Sequence, residues 1–221
     1  MERREGSRDL RFTGRIAGFG TASGTRIVIG MWHDSPFGRF ADVMVEDAGG
    51  HRLLLAPSRE IADFVAATYT FDEVLVRPVR VRRIAGGLAV EVGDSALVDA
   101  SDARSWRLSV RIRVGAVSPL GRVLRSIPAR LGTWPAWLRV IDPLAGLLLP
   151  GVRTAGSAGG GRREFYGVTR VRRIAWASAR LDGIDLGGFA PLRPSVRFGF
   201  GSAPPEPSLV DLVTTIRDPS L

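Results

Sequence analysis

The sequence predicts a β-rich α+β protein, a barrel or sandwich built from two related tandem halves with one or two short helices packed on it. Three observations carry that prediction. The hexapeptide Arg80-Val81-Arg82-Arg83-Ile84-Ala85 recurs unchanged at Arg170-Val171-Arg172-Arg173-Ile174-Ala175. Two further matching blocks, Arg26-Ile27-Val28-Ile29-Gly30 and Arg111-Ile112-Arg113-Val114-Gly115, precede the hexapeptides in the same order and lead to Ser35-Pro36-Phe37-Gly38 and Ser118-Pro119-Leu120-Gly121. Elsewhere apolar and polar residues alternate at the two-residue period of a half-buried strand. The halves fall at residues 1–105 and 106–221, the second ending in a C-terminal strand. Neither has an evident linker or a core of its own, so one compact body is expected.

In chain order, Arg11 to Gly20 and Thr25 to Trp32 read as paired strands around the turn Thr21-Ala22-Ser23-Gly24. Ser35-Pro36-Phe37-Gly38 fits a type I turn, and Ser118-Pro119-Leu120-Gly121 repeats its chemistry. Phe40–Glu46 and His51–Ala56 flank the hairpin loop Asp47-Ala48-Gly49-Gly50. Ser58 caps a helix to about Thr68 that carries Ile61, Phe64, Val65 and Thr68 on one face. Val74 to Ile84 and Leu88 to Val92 enclose Gly86-Gly87, a two-residue loop that sets Val81 opposite Val92 and Arg82 opposite Glu91. That pairing gives Arg82 an acid and leaves its counterpart Arg172 without one.

In the second half, Arg107, Ser109, Arg111 and Arg113 alternate with Leu108, Val110, Ile112 and Val114, which places arginines about 7 Å apart on one strand face. Residues 119 to 152 interleave Arg122, Arg125, Arg130 and Arg139 with Trp134 and Trp137. Asp142-Pro143 there reads as a helix cap with proline in the first turn. The segment is too broken to span a bilayer. Gly156 to Arg163 reads as a mobile hairpin loop, Val196, Phe198 and Phe200 as a strand, and Leu209 to Ile216 as an edge strand.

Composition removes whole classes of chemistry. The chain has no lysine, cysteine, asparagine or glutamine, so every one of its 31 basic residues other than histidine is arginine. Schiff-base and P-loop lysines, thiol nucleophiles, cysteine metal sites and disulfides are thereby excluded. Two histidines cannot build a three-histidine metal site, and Gly18-Phe19-Gly20 with Gly24 lacks the dinucleotide spacing, so no cofactor and no metal is expected. The opening Met-Glu-Arg-Arg-Glu holds no apolar signal region, which points to the cytoplasm.

The net charge of +9 is unevenly spread. Residues 1–105 hold 14 arginines against 15 acids, and residues 106–221 hold 17 against 7. Between 106 and 173 only Asp142 and Glu164 oppose 13 arginines. Such a face attracts phosphates, nucleic acid or an anionic membrane surface. Arg111, Arg113, Arg170 and Arg172 are the candidate anion contacts. The catalytic candidates are His33 and Asp42, His33-Asp34 being absent from the second copy.

The segment Ser35-Pro36-Phe37-Gly38-Arg39-Phe40-Ala41-Asp42-Val43-Met44-Val45 resembles that of acetoacetate decarboxylase-like proteins, where a Pro-Gly-aromatic turn precedes an acidic residue opening a strand. The resemblance implies a bowl-like β structure with a central pocket and maps the family's acidic pocket residue onto Asp42. It covers about a tenth of the chain, and the family's imine-forming lysine has no counterpart.

These readings favour non-catalytic binding of a small acidic or amphipathic molecule between the halves, with second-half arginines as anion contacts. One alternative is peripheral association with nucleic acid or anionic membrane through residues 106–173. Another is a lysine-independent acid/base enzyme using His33 and Asp42.

Overall fold

The computed structural model describes residues 8–93, 107–148, 154–157, 159–199 and 204–219. The 105/106 boundary between the two expected halves, and Phe200 of the expected strand, lie outside the described residues.

A long first strand, β1 (Arg8–Thr21), turns through Thr21–Thr25 into β2 (Arg26–Asp34), then β3 (Phe40–Glu46) and β4 (Arg52–Ala56). The turn before β3 forms as its residues dictate, with the Gly38 amide donating to the Ser35 carbonyl at 3.0 Å and Gly38 at φ 74°. Helix α1 (Arg59–Thr68) starts at Ser58, whose hydroxyl accepts from the Ile61 amide. It buries Ile61, Ala62 and Val65 against Leu54 and Ala56 of β4. Each large apolar side chain so covered contributes about 1.5–3 kcal/mol. Strands β5 (Glu73–Val76), β6 (Val79–Ile84) and β7 (Gly87–Val92) complete the first half.

The second half opens with β8 (Leu108–Val117), followed by α2 (Pro119–Leu124), α3 (Ala129–Gly132) and α4 (Pro135–Leu148). Strand β9 (Ala155–Ser157) and the 19-residue β10 (Arg163–Leu181) follow. Short strands β11 (Ile184–Asp185) and β12 (Phe189–Ala190) precede β13 (Ser208–Asp218).

The strands form one curled sheet in the order β5-β4-β3-β2-β1-β13-β10-β8-β7-β6, with β9, β11 and β12 paired at its margins. Period-two alternation assigns the two faces. Odd-numbered Ala17, Phe19, Ile27, Ile29, Val43 and Val45 meet Val90, Val110 and Ile112 in the main core, which the sheet encloses by bringing β6 back against β3. Even-numbered residues of β1 to β3 and of β13 face the other way, under the helices. The fold is thus a β-rich α+β architecture.

The repeated hexapeptides occupy different settings. Arg80–Ile84 belongs to β6, at one end of the sheet, whereas Arg170–Ile174 lies within β10, between β13 and β8. Arg26–Gly30 lies in β2, between β1 and β3, and Arg111–Val114 in β8, between β7 and β10.

Several local expectations are corrected. Ser118-Pro119-Leu120-Gly121 starts a helix instead of closing a turn. The Ser118 hydroxyl accepts from the Gly121 amide at 3.0 Å, and Pro119 sits in the first turn, where its missing N–H costs nothing. The β6–β7 loop is Ala85-Gly86, with Gly86 at φ 70°, so Val81 faces Val90, Arg82 faces Ala89 and Arg80 faces Glu91. Gly87 belongs to β7, opposite Ile84 and Arg113, at a position where a β-carbon would collide with the Ile112 backbone. Asp142 and Pro143 are inside α4, and Asp142 instead accepts hydrogen bonds from the Thr154 and Ala155 amides at 2.7 and 3.0 Å. The glycine-rich stretch does belong to a hairpin, β9 pairing antiparallel with the start of β10 through Ser157 opposite Arg163, with a 3₁₀ turn at Gly159–Gly161 between the two strands. Val196 and Phe198 lie in irregular chain packed on Val28 and Leu192, not in a strand. Leu209–Ile216 is no edge: β13 sits at the middle of the sheet, paired with β1 and β10, and both of its faces are buried.

One gap in the pairing positions the site. Strand β10 pairs with β9 at residues 163–165 and with β8 from Arg172 onward, and α2, α3 and α4 pack along the stretch between. The helical insert therefore covers backbone that would otherwise be an open sheet edge. No helix among the described residues is long and apolar enough to cross a membrane.

Candidate functional site

Between the even-numbered sheet face and the helices lies a cavity of about 210 Å³. Both halves line it: Phe12, Val28 and Met44 from the first, Val168, Val210 and Leu212 from the second, with Leu120, Leu124 and Trp137 of the insert as a roof. Its wall is mainly apolar and contains two carboxyl groups, Asp42 and Glu164. They stand on β3 and β10, which β2, β1 and β13 separate, so they enter from opposite sides.

Asp42 is buried, and Trp32 Nε1 donates to its Oδ1 at 3.0 Å. Burial pushes its pKa up to about 6, against the opposing hydrogen bond from Trp32. Its register partner is Gly30, where any β-carbon would collide with the carboxylate. Glycine at 30 is thus the condition for a carboxyl at 42.

Glu164 is fully buried, and Tyr69, just past the end of α1, donates its hydroxyl to Oε1. The Tyr69 and Tyr166 hydroxyls lie 2.8 Å apart. Burial raises Glu164 to about 7, with the tyrosine hydrogen bonds opposing the rise. Burial, and then the charge of Glu164, holds Tyr69 well above the ordinary phenol range. Among the described residues the second carboxylate oxygen, Oε2, has no hydrogen-bond partner; nor do the buried Thr214 Oγ1 and Trp137 Nε1. Thr214 is the cross-strand neighbour of Tyr166, so Thr214 and Glu164 share one end of the cavity. Unpartnered buried polar atoms are rare in folded chains and mark places where a water or ligand completes the bonding.

The six residues singled out from sequence separate into three groups. Asp42 lines the cavity. His33, exposed at the end of β2, does not; it lines a second, polar depression on the opposite sheet face together with Arg15 and Asp211. Arg170 and Arg172 come to that same place, 3.8 and 3.5 Å from Asp211. The expectation that Arg172 lacks an acid is therefore corrected, the acid being supplied by β13. Arg111 and Arg113 are exposed on β8, away from both. Among the described residues no arginine lines the cavity. Glu164, Tyr69 and Tyr166 escaped sequence reasoning. The one available signal was Glu164-Phe165-Tyr166, a lone acid and an aromatic on the same strand face.

Fold and site together define a β-rich α+β protein with a mainly apolar cavity and two buried carboxyls of raised pKa. No family model matches the chain, and no curated protein matches it. The structure is similar to the crystal structure of acetoacetate decarboxylase from Legionella pneumophila subsp. pneumophila str. Philadelphia 1, with a TM-score of 0.44 and 10% identity over 96% of this chain and 86% of that one. This is the family that residues 35–45 resemble. The likeness assigns no role to any residue of this chain.

Proposed function

We propose that the chain binds a small amphipathic molecule in the cavity and leaves it chemically unchanged. The observation behind this reading is the contrast between an apolar wall and the three unpartnered polar atoms, Glu164 Oε2, Thr214 Oγ1 and Trp137 Nε1. The apolar body of the ligand contacts Val168, Val210 and Leu212, and its head group meets Glu164. An acidic head group enters protonated or meets a protonated Glu164, since among the described residues no guanidinium lines the cavity. The test is titration with 1-octanol and octanoic acid by calorimetry, with tryptophan fluorescence reporting on Trp32 and Trp137. Saturable one-to-one binding is expected, weakened by Glu164→Gln and abolished by Val210→Trp, which fills the space. Absence of saturable binding, or indifference to Val210→Trp in a folded variant, defeats the reading.

A second reading, an acid/base enzyme, is favoured by Glu164 at about 7 between two tyrosines. It requires Glu164 to take a proton from a bound molecule. Deuterium from solvent entering the α-carbons of 2-octanone, and lost in Glu164→Gln, would select it over simple binding.

A further inference from the structure

The sheet face opposite the cavity carries a polar basin of about 320 Å³ that, among the described residues, shares only Leu212 with the cavity lining. Arg15, Asp211 and Arg170 are register partners on three adjacent strands, β1, β13 and β10, so their side chains stand in one row. Arg15 Nε lies 2.7 Å from Asp211, and Arg170 and Arg172 approach the same carboxylate. Arg11, two rows along β1, and Arg130, from α3, also line the basin, and neither has a carboxylate partner among the described residues. His33 arrives by a β-bulge: Thr13 pairs with Asp34 and Gly14 with Trp32, which makes His33 the extra residue and aims it into the basin.

The charge balance is lopsided. Among the described residues Asp211 is the only acid lining the basin, against Arg11, Arg15 and Arg130 in the lining and Arg170 and Arg172 beside it. Three guanidiniums sharing one carboxylate already exceed its charge: Arg172 Nη2 reaches Asp211 only at 3.5 Å, and the buried Arg172 Nε has no hydrogen-bond acceptor among the described residues. Like charges held this close repel, and a bound anion with several acceptor oxygens offsets that repulsion while accepting planar N–H pairs. We propose that this basin binds a phosphoryl group, held by Arg11, Arg15 and Arg130 with His33 at the rim. This site is separate from the cavity and independent of what the cavity holds.

The test is calorimetric titration of the full chain with inorganic phosphate at an ionic strength fixed with sodium chloride, with thermal unfolding in parallel. Saturable binding is expected, with a Tm rise that chloride does not reproduce. The double variant Arg11→Ala/Arg130→Ala, which leaves the Asp211 ion pairs intact, should bind at least about tenfold more weakly. Arg111→Ala/Arg113→Ala should bind as the parent does. Vesicles of phosphatidic acid in phosphatidylcholine distinguish the source. Binding tighter than to free phosphate and lost in the Arg11/Arg130 variant names a lipid headgroup, and no gain over free phosphate names a soluble phosphate; both uphold the site. No saturable phosphate binding at millimolar concentration overturns it, as does equal weakening in the Arg111/Arg113 variant. Steeply salt-dependent binding to single-stranded DNA that is indifferent to Arg11 and Arg130 also overturns it, in favour of a diffuse cationic surface. Retained 1-octanol binding in the Arg11/Arg130 variant shows that the fold and cavity survive, so failure of the basin and failure of the cavity reading are read separately.

Discussion

Trp32 and Asp42 are joined across the β2–β3 pair by an indole N–H donated at 3.0 Å, and the bond passes over Gly30, the residue directly opposite Asp42. A β-carbon at 30 would lie 2.8 Å from Trp32 Nε1 as well as colliding with Asp42. Gly30→Ala is therefore expected to break the pair and destabilise the fold by about 1–3 kcal/mol, read as a lower urea midpoint with altered tryptophan emission. An unchanged midpoint would mean that Asp42 moves aside freely.

Stability should fall as pH rises from mildly acidic to neutral. Asp42 and Glu164 hold protons more tightly folded, at about 6 and about 7, than unfolded, at 3.8 and 4.5. Their contribution is complete below the unfolded values and is lost as pH climbs through the folded ones, to the extent of roughly 3 kcal/mol for each. Urea midpoints from pH 4 to 8 measure this. Asp42→Asn should remove the lower part of the fall and Glu164→Gln the upper part. A parent midpoint that stays level across that range contradicts both assignments.

Glu46 is a structural anchor. It is fully buried, accepts from Arg197 Nε and the Arg197 amide at 2.9 and 2.8 Å, and lies 3.3 Å from the buried Arg26. Glu46→Ala strands the Arg26 guanidinium without its counter-charge and should cost about 3–5 kcal/mol. Denaturant unfolding measures it, with Arg180→Ala, whose pair with Asp185 is exposed, as a near-neutral comparison.

The insert should detach without unfolding the sheet. Gly121 sits where a β-carbon would strike the Val171 backbone of β10. Gly121→Val is expected to push α2 off that strand, raising amide hydrogen exchange across residues 118–141 and weakening octanol binding, while β1, β2 and β13 stay protected. Unaltered exchange in the insert would show that α2 does not depend on this approach.

Elements governed by neighbouring residues were legible in the sequence. The Ser58 cap, the Ser35–Gly38 turn and the alternation of Leu108, Val110 and Ile112 follow from local chemistry. Ser118-Pro119 was not decidable locally, because serine before proline suits both a turn and a helix start; the uncovered edge of β10 decides it. Asp42 could be marked from its segment, yet Glu164 could not, since its partner Tyr69 lies 95 residues away. His33, Arg170 and Arg172 were recognised as charged candidates, but the face they share follows from two register irregularities, at Thr13/Gly14 and at Val168/Arg170, that no pattern in the residues announces.

The central place of β13 has a consequence for assembly during synthesis. Strand β1 is made just before β2 and pairs with it locally, but its other side waits for a partner made nearly two hundred residues later. Until then the nascent chain carries two unjoined edges, one on β1 and one on β10, and the final insertion welds them. A ribosome stalled before residue 208 should hold an aggregation-prone intermediate that chaperones must shield.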